Sequence, residues 1–439
     1  MSVNWEAAGI FFTENGEDTQ RVISRISAYS GKATLVLLND LTIHNNYTTF
    51  PSNLYKVVGG GGKIIPYSER TSYAYLNFPS GCIFEGGYYQ MFNKWVILNC
   101  SDGWLEGCAL CDWWGCEKDG VTDCGTAMSA FMGSKFREVR FTKGVYVAYL
   151  SNGYSGRNIY IDEDVIFDGV FHIAYGSYTQ RTFCHNVHVF GKVVSTLRVG
   201  GAYIDGLYIP DGIKILANNS DYINQTAEGG CKGVHFNYSN KNFEIGDIEV
   251  EQSVPQYNDG HPVIVYAFGL DAGDGDNREP NHDIHIKSLK CGPNTSEYYD
   301  LMLSDGCYNI TVDKLISVGG TTQQHAIVVS SSLSHDIKIG EADITFNNAN
   351  ALAPVLIAGK NVTIDKIKID SSESNGSFGL FFNEVEGAFI SNIETKNQVQ
   401  GIRLINTKNV LVVNHHSIND TTPLAQSDSQ YKVLNTFVD

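Results

Sequence analysis

The chain has 439 residues, 43% of them hydrophobic, and carries a formal net charge of −17 at pH 7. This apolar content is enough for a large core. The acidic balance would repel nucleic-acid backbones and anionic membranes, so we expect neither as a partner. The N-terminal residues lack a basic stretch followed by an apolar run, and no stretch is long enough to span a bilayer. We therefore predict a protein made in the cytoplasm without a signal peptide.

The first region, residues 1–110, is predicted to contain one helix followed by the first strands of a coiled β-structure. The helix covers residues 16–29, where Asp18 or Thr19 supplies the N-cap and apolar residues at helical spacing form one stripe. Runs with alternating apolar residues then predict strands that begin near Ala33, Asn53 and Gly81.

Four of the ten cysteines lie close together in the sequence, at Cys108, Cys111, Cys116 and Cys124. A zinc site usually has CxxC spacing at both ends, and here only Cys108 and Cys111 have it. Buried free thiols made in a reducing cytoplasm are therefore the favoured interpretation, with zinc as the alternative.

The second region, residues 111–150, predicts a short helix around 126–132 that is capped by Asp123, followed by two strands joined by a tight turn at 143–144. Asp119 and Asp123 are interpreted as turn and cap residues. This stretch resembles the N-terminal capping segment of the pectate-lyase-like superfamily. The matching positions are Gly115, Asp119, Gly120, Val121, Thr122, Asp123, Gly144 and Tyr146, and the departures are Lys118 and Cys124.

The preceding GGYYQMF, from Gly86, is similar to a phrase that comes before this segment in phage tailspikes. The resemblance implies an all-β fold, a right-handed parallel β-helix (solenoid) with a short N-terminal capping helix. The helix would close the open end of the coil, where core and strand edges otherwise meet water. The resemblance also implies a homotrimer.

The third region, residues 151–420, repeats one short phrase: a turn residue, an apolar-x-apolar pair, polar residues and a second apolar pair. Between residues 281 and 420 the turn residues recur every 22 to 27 positions, at Asp283, Asn309, Asp336, Asn361, Gly387 and Asn409. This period, with alternation inside it, predicts stacked strands of a solenoid. His282 and His335 precede equivalent turn residues, which favours stacking at the turn over metal binding.

The spacing of the turn residues changes between Asn242 and Asp283, which are 41 residues apart, so we predict an insertion at 252–281. Residues 421–439 are predicted to close the chain. Because insertions in solenoids form loops that often bind ligands, this one supplies the first candidate site. The predicted catalytic carboxylates are Asp259, Asp271, Asp274 and Asp276. The predicted substrate-binding residues are His261, Arg278 and Tyr257, together with Tyr266 and Tyr203 as sugar-stacking rings.

Two other interpretations of the insertion stay open. Its aspartates also suit turns in a solvated polar loop. The run from Asp271 to Asn277 resembles a loose calcium loop, although it lacks a bidentate Glu at its far end. We predict no cofactor and keep calcium as the alternative.

The second candidate set is Glu249 and Glu251, two residues apart on a strand whose apolar residues Ile248 and Val250 point inward. Such a pair suits either carboxylate geometry of glycosidases, and a charged solvent-facing strand is the alternative. Asp305, one coil further on, is a third candidate.

A rod with ladders of outward side chains suits a long polymer. The sequence lacks the Asn-Thr-Asp, Asp-Asp and Gly-His-Gly signature of polygalacturonases, and no lyase-type Arg/Lys set is clear. The resemblance therefore implies a tailspike-like depolymerase of a bacterial surface polysaccharide (capsule, O-antigen or exopolysaccharide), acting by hydrolysis in preference to elimination. It would sit on a virion, contact phage tail proteins and act outside the host cell. The alternative is a non-catalytic receptor-binding or structural β-helix.

Overall fold

The structure, a computed structural model, describes residues 4–69, 71–148, 150–151, 157–168, 170–172, 183–188, 193–194, 196–199, 203–217, 232–237, 240–252, 266–271, 279–292, 299–304, 306–319, 325–347, 352–371, 378–427 and 429–438. The protein is predominantly β, with 61% strand and two short α-helices, and its strands form a parallel β-solenoid of about 12 turns. The predicted all-β solenoid is thus confirmed.

The first sixteen strands are β1 (Ile10–Phe12), β2 (Ala33–Leu37), β3 (Leu41–Ile43), β4 (Tyr47–Thr49), β5 (Leu54–Gly59), β6 (Ile64–Pro66), β7 (Ala74–Phe78), β8 (Ile83–Glu85), β9 (Val96–Cys100), β10 (Leu105–Leu110), β11 (Asp119–Asp123), β12 (Phe136–Phe141), β13 (Gly144–Val147), β14 (Leu150–Ser151), β15 (Asn158–Ile161) and β16 (Val165–Asp168). The helices are α1 (Thr19–Ser27) and α2 (Gly125–Gly133), with 3-10 turns at Glu6–Ala8 and Cys111–Trp114.

The later strands are β17 (Val170–His172), β18 (Phe183–His188), β19 (Val193–Val194), β20 (Thr196–Val199), β21 (Tyr203–Ile209), β22 (Ile213–Ala217), β23 (Lys232–Asn237), β24 (Asn240–Gln252), β25 (Tyr266–Asp271), β26 (His282–Cys291), β27 (Tyr299–Leu303), β28 (Tyr308–Val318), β29 (His325–Val329), β30 (His335–Phe346), β31 (Val355–Ile357), β32 (Lys360–Ser371), β33 (Phe378–Asn383), β34 (Glu386–Lys396), β35 (Gln400–Ile405), β36 (Lys408–Ile418), β37 (Thr422–Ser427) and β38 (Tyr431–Val438).

The chain divides into two compact units. Unit 1 comprises residues 1–168 and 184–190, and unit 2 comprises 169–183 and 191–439. In unit 1 the main parallel sheet has the order β1-β2-β5-β8-β10-β12-β15, and smaller sheets are β3-β6, β4-β7-β9 and β11-β13-β16. Alternate residues of each strand enter the core, which is why β2 buries Ala33, Leu35 and Leu37.

Helix α1 forms as the sequence predicts. Asp18 is its N-cap, and its Oδ1 accepts the N–H of Arg21 at 2.9 Å. Val22 and Ile26 are fully buried on its apolar stripe, and the helix packs against β1 and β3. Glu17, whose side chain is fully buried, is paired with Arg25 at 2.6 Å.

Helix α2 differs from the prediction in its N-cap. Its N-cap is Cys124 and not Asp123. Asp123, the residue before the cap, accepts the N–H of Gly125 at 2.8 Å. The helix packs against β9 and the 3-10 turn at Cys111–Trp114, and five strands of the main sheet precede it. The expectation that this helix closes an open end of the coil stays a prediction.

Two other features of residues 111–168 are structural. Asp119 accepts the N–H groups of Val121 and Thr122 at 2.9 and 2.8 Å, and these hydrogen bonds lower its pKa to about 2, so its prediction as a turn residue is confirmed. Arg157 is fully buried and donates to the carbonyl oxygens of Met132 at 2.8 Å, Phe136 at 3.1 Å and Ser134. It thereby satisfies acceptors at and just beyond the C-terminus of α2.

Unit 2 contains the regular repeats. One sheet runs β17-β20-β23-β25-β27-β29-β31-β33-β35-β37, and the other runs β21-β24-β26-β28-β30-β32-β34-β36-β38. All pairings are parallel, and β37 and β38 extend the two sheets through residues that the sequence assigned to a closing segment. Each long strand of the second sheet thus lies directly over its neighbours in the repeat.

The turn residues of the repeat are confirmed as left-handed positions. Asp283, Asn309, Asp336, Asn361, Gly387 and Asn409 all have φ between 52° and 76°. Asn and Asp tolerate this conformation, and their side chains connect successive coils, as when Asn361 donates to Asp336 at 3.1 Å. The predicted stacking is confirmed too, because the rings of His282 and Tyr308 lie 4.6 Å apart and those of Tyr308 and His335 lie 5.0 Å apart.

Candidate functional site

The candidate site lies on the outward face of the second sheet in unit 2, at the coils that flank the insertion in sequence. Residues two positions after each left-handed turn point outward and lie over one another. Tyr208 pairs with Glu244, and Glu244 pairs with His285, in the register of β21, β24 and β26. Tyr208 is exposed, so an aromatic ring stands at one end of this row.

His285 bridges two carboxylates on the neighbouring coils. Its Nδ1 lies 2.9 Å from Oε2 of Glu244, and its Nε2 lies 2.8 Å from Oδ2 of Asp313. The hydrogen bond to Asp313, and then the one to Glu244, raise the pKa of His285. Carboxylates only accept, so an imidazolium that donates from both nitrogens fits this arrangement.

A second charged cluster borders the first. Nζ of Lys287 lies 2.7 Å from Asp211 and 3.1 Å from Asp247, and Asp211 also accepts the N–H of Asp247 at 3.0 Å. The Lys287 ammonium lowers the pKa of the Asp211 carboxyl. With Glu244 and Asp313 these residues place four carboxylates beside one lysine and one histidine, so the surface is acidic.

The spacing of Glu244 and Asp313 sets what the site can do. Carboxylates that bond opposite nitrogens of one imidazole lie roughly 6–8 Å apart, which overlaps the range of about 6.5–9.5 Å found in inverting glycosidases. The site therefore places two carboxylates at a separation compatible with that range, with His285 between them.

Glu249 occupies the predicted outward position on β24, between buried Ile248 and Val250. Its carboxylate lies 2.7 Å from Nζ of Lys290 on the next coil, and this hydrogen bond lowers the pKa of Glu249. Glu249 is thus kept ionised as half of an ion pair, which suits a base or a nucleophile and not an acid.

Most of the insertion lies outside the residues that the structure describes. The predicted residues that lie outside the described part of the chain are Tyr257, Asp259, His261, Asp274, Asp276, Arg278 and Asp305. Four others have only their strand position described: Tyr203 in β21, Glu251 in β24, and Tyr266 and Asp271 in β25. Their roles stay predictions.

The sequence also led to predictions about the cysteines and about membrane-spanning segments. The eight described cysteines are free thiols, seven of them buried, as the sequence predicts. In the part of the chain that the structure covers, no group of three His, Cys, Asp or Glu residues is arranged to hold a metal ion. Neither of the two described α-helices has the length and apolarity that a bilayer crossing requires.

The sequence interpretation missed Glu244, His285 and Asp313. A signal was present, because Glu244 and His285 each lie two positions after a left-handed turn residue, at Asn242 and Asp283. Aligning the repeats on these turns would have put both residues in one column. Comparison of the chain with protein families, with curated proteins and with solved structures gave no match.

Proposed function

We propose that this protein is a tailspike-like depolymerase that binds and hydrolyses a bacterial surface polysaccharide. The observation that carries the proposal is that the carboxylates of Glu244 and Asp313 flank His285 on an exposed face, 2.9 and 2.8 Å from its two ring nitrogens. The parallel solenoid supports it, since coils about 4.8 Å apart offer successive contacts to successive sugar units.

In this proposal one carboxylate of the pair takes a proton from the His285 imidazolium and passes it to the glycosidic oxygen. The other takes a proton from water, whose oxygen adds to the anomeric carbon as the glycosidic bond breaks. Tyr208, at the end of the row, offers its ring to a sugar face. His285 is a positioning residue that hydrogen-bonds both carboxylates.

The test is incubation of the purified protein with capsule and O-polysaccharide from candidate host bacteria, followed by size-exclusion chromatography and a reducing-end assay. Glu244→Gln and Asp313→Asn are each expected to lower the rate by about 10²–10⁴-fold. Lys338→Gln, on the same face, is the matched control and keeps the activity. Glycan fragments with an ultraviolet-absorbing unsaturated end would show that the reaction is elimination and not hydrolysis.

His285 has its own readout. His285→Gln keeps a hydrogen-bonding side chain but cannot carry a proton, so it is expected to move the pH–rate profile and not only to lower its maximum. If the shape of the pH–rate profile is unchanged in His285→Gln, His285 has no part in the reaction.

A second candidate function is a non-catalytic glycan-binding β-helix. The pairing of Glu249 with Lys290, and of Glu394 with Lys368 at 3.3 Å, favours it, because such ladders also occur on purely structural charged faces. It predicts glycan binding without any cleavage, and Glu244→Gln would leave that binding intact. We extend both proposals to a homotrimer on the virion, in contact with phage tail proteins, and sedimentation of a monomer would count against that assembly.

A further inference from the structure

A groove lies on the outward face of the last coils of unit 2, several coils beyond Glu244 and His285. It has a volume of about 550 Å³ and is bordered by β32, β34, β36 and β38. The side chains that line it are Lys366, Ile367, Lys368, Asn392, Ile393, Glu394, Asn414, His416 and Phe437. This volume falls within the range of small-ligand sites, roughly 300–1,000 Å³.

The lining of the groove differs from the Glu244–Asp313 surface in containing two lysines. Its wall carries the ammonium groups of Lys366 and Lys368 and one carboxylate, that of Glu394. Lys366 is 3.5 Å from Glu341, and Lys368 is 3.3 Å from Glu394, so both are held in place by the neighbouring coil. Each ammonium has three donors, so donors remain for a ligand beside the contacts with Glu341 and Glu394. Asp343 and Asp370 also act on the Lys368 ammonium.

An aromatic platform lies beside these charges. Phe437 is 57% exposed and follows His416 in the register of β36 and β38. His416 in turn follows Glu394, and Glu394 follows Lys368, so charge, imidazole and ring succeed one another in one outward row. An aromatic face next to fixed hydrogen-bond donors suits a sugar, which has an apolar face and polar edges.

The floor of the groove is rigid. Asn414 donates to Asn392 at 3.2 Å, Asn392 donates to the carbonyl oxygen of Asp365 at 3.1 Å, and both asparagines are left-handed. This ladder links the bends of successive strands beside the lysines and the ring.

We propose that this groove is a second saccharide subsite, specific for a sugar unit that bears a carboxylate. The carboxylate would be bound by Lys366 and Lys368, and the ring of the sugar would stack on Phe437. The inference rests on the proposed function and deepens it. The row from Lys368 to Phe437 continues, through Ile316 and Asp343, the row of Glu249 and Lys290, so the groove lies roughly 15–25 Å from Glu249 along the sheet.

The test is isothermal titration calorimetry with tetragalacturonate and, as the neutral counterpart, maltotetraose. The wild-type protein is expected to bind tetragalacturonate and to bind maltotetraose at least tenfold more weakly. The double variant Lys366→Gln/Lys368→Gln should lose about tenfold or more of its affinity for tetragalacturonate, since hydrogen bonds to charged groups are lost. Phe437→Ala should lose about three- to tenfold.

Lys290→Gln is the matched control, because it removes a lysine from the same row outside the groove. Three results would each contradict the subsite: no binding of tetragalacturonate, equal binding of both probes, or the same loss of affinity in Lys290→Gln as in the double variant. Binding can be measured without cleavage. A protein that binds through Lys366 and Lys368 but cleaves no glycan would support the subsite and contradict the depolymerase activity. Cleavage of a host glycan with an unchanged Michaelis constant in the double variant would support the activity and contradict the subsite.

Discussion

His415 predicts a loss of stability in unit 2 at mildly acidic pH. The residue is fully buried, its Nε2 lies 2.9 Å from the hydroxyl oxygen of Thr395, and Thr395 donates to Asp420 at 2.5 Å. Its Nδ1 has no hydrogen-bond partner among the described residues. Burial is the main cause that lowers the pKa of His415 from 6.5 to about 4, with His416 adding to the shift and Asp420 opposing it.

The native state therefore holds the neutral ring, while the unfolded chain takes up a proton below its ordinary pKa. The stabilising effect is complete above about pH 6.5 and is lost as the pH falls toward 4. A shift of this size corresponds to about 2.5 kcal/mol at pH 4.5, at roughly 1.4 kcal/mol per pKa unit.

The assay is urea unfolding of the wild type and of His415→Gln near neutral pH and at pH 4.5. All five tryptophans lie in the first 114 residues, so fluorescence follows unit 1, and far-UV circular dichroism also follows unit 2. We expect the wild type to lose about 2.5 kcal/mol more than His415→Gln between the two pH values in the transition seen by circular dichroism. His416→Gln, at the adjacent outward position, is the control and should keep most of the wild-type pH dependence, because His416 is the smallest of the causes that act on the pKa of His415. Equal pH dependence in His415→Gln and the wild type would refute the reasoning.

Two further changes test the packing. Arg157→Ala removes the donor to three carbonyl oxygens and should destabilise unit 1 by about 3–5 kcal/mol, read by tryptophan fluorescence, whereas Arg157→Lys should recover part of this; a loss below about 1 kcal/mol would contradict the buried role. Asn361→Ala places a side chain with no ladder hydrogen bond at φ 52° and should cost about 1–2 kcal/mol in urea unfolding. Asn361→Gly keeps the backbone conformation and should cost less, and the reverse order would show that the turn is not the cause.

Much of the fold was readable from the sequence because a solenoid repeats local rules. The turn residues Asp283 and Asn361 mark left-handed positions, and alternation between them assigns the inward side chains of each strand. The same reasoning gave Asp18 or Thr19 as the cap of α1, of which the structure has Asp18, and Glu249 as outward-facing. These features depend only on neighbours within a few residues.

The tertiary structure decided which outward residues meet. Glu244 and His285 are 41 residues apart, and His285 and Asp313 are 28 apart, so their contact depends on the register of β24, β26 and β28 across the insertion. A one-residue slip would turn each side chain to the other face of its strand. Local sequence fixes which face a residue takes, whereas its partner on that face is set by stacking between coils.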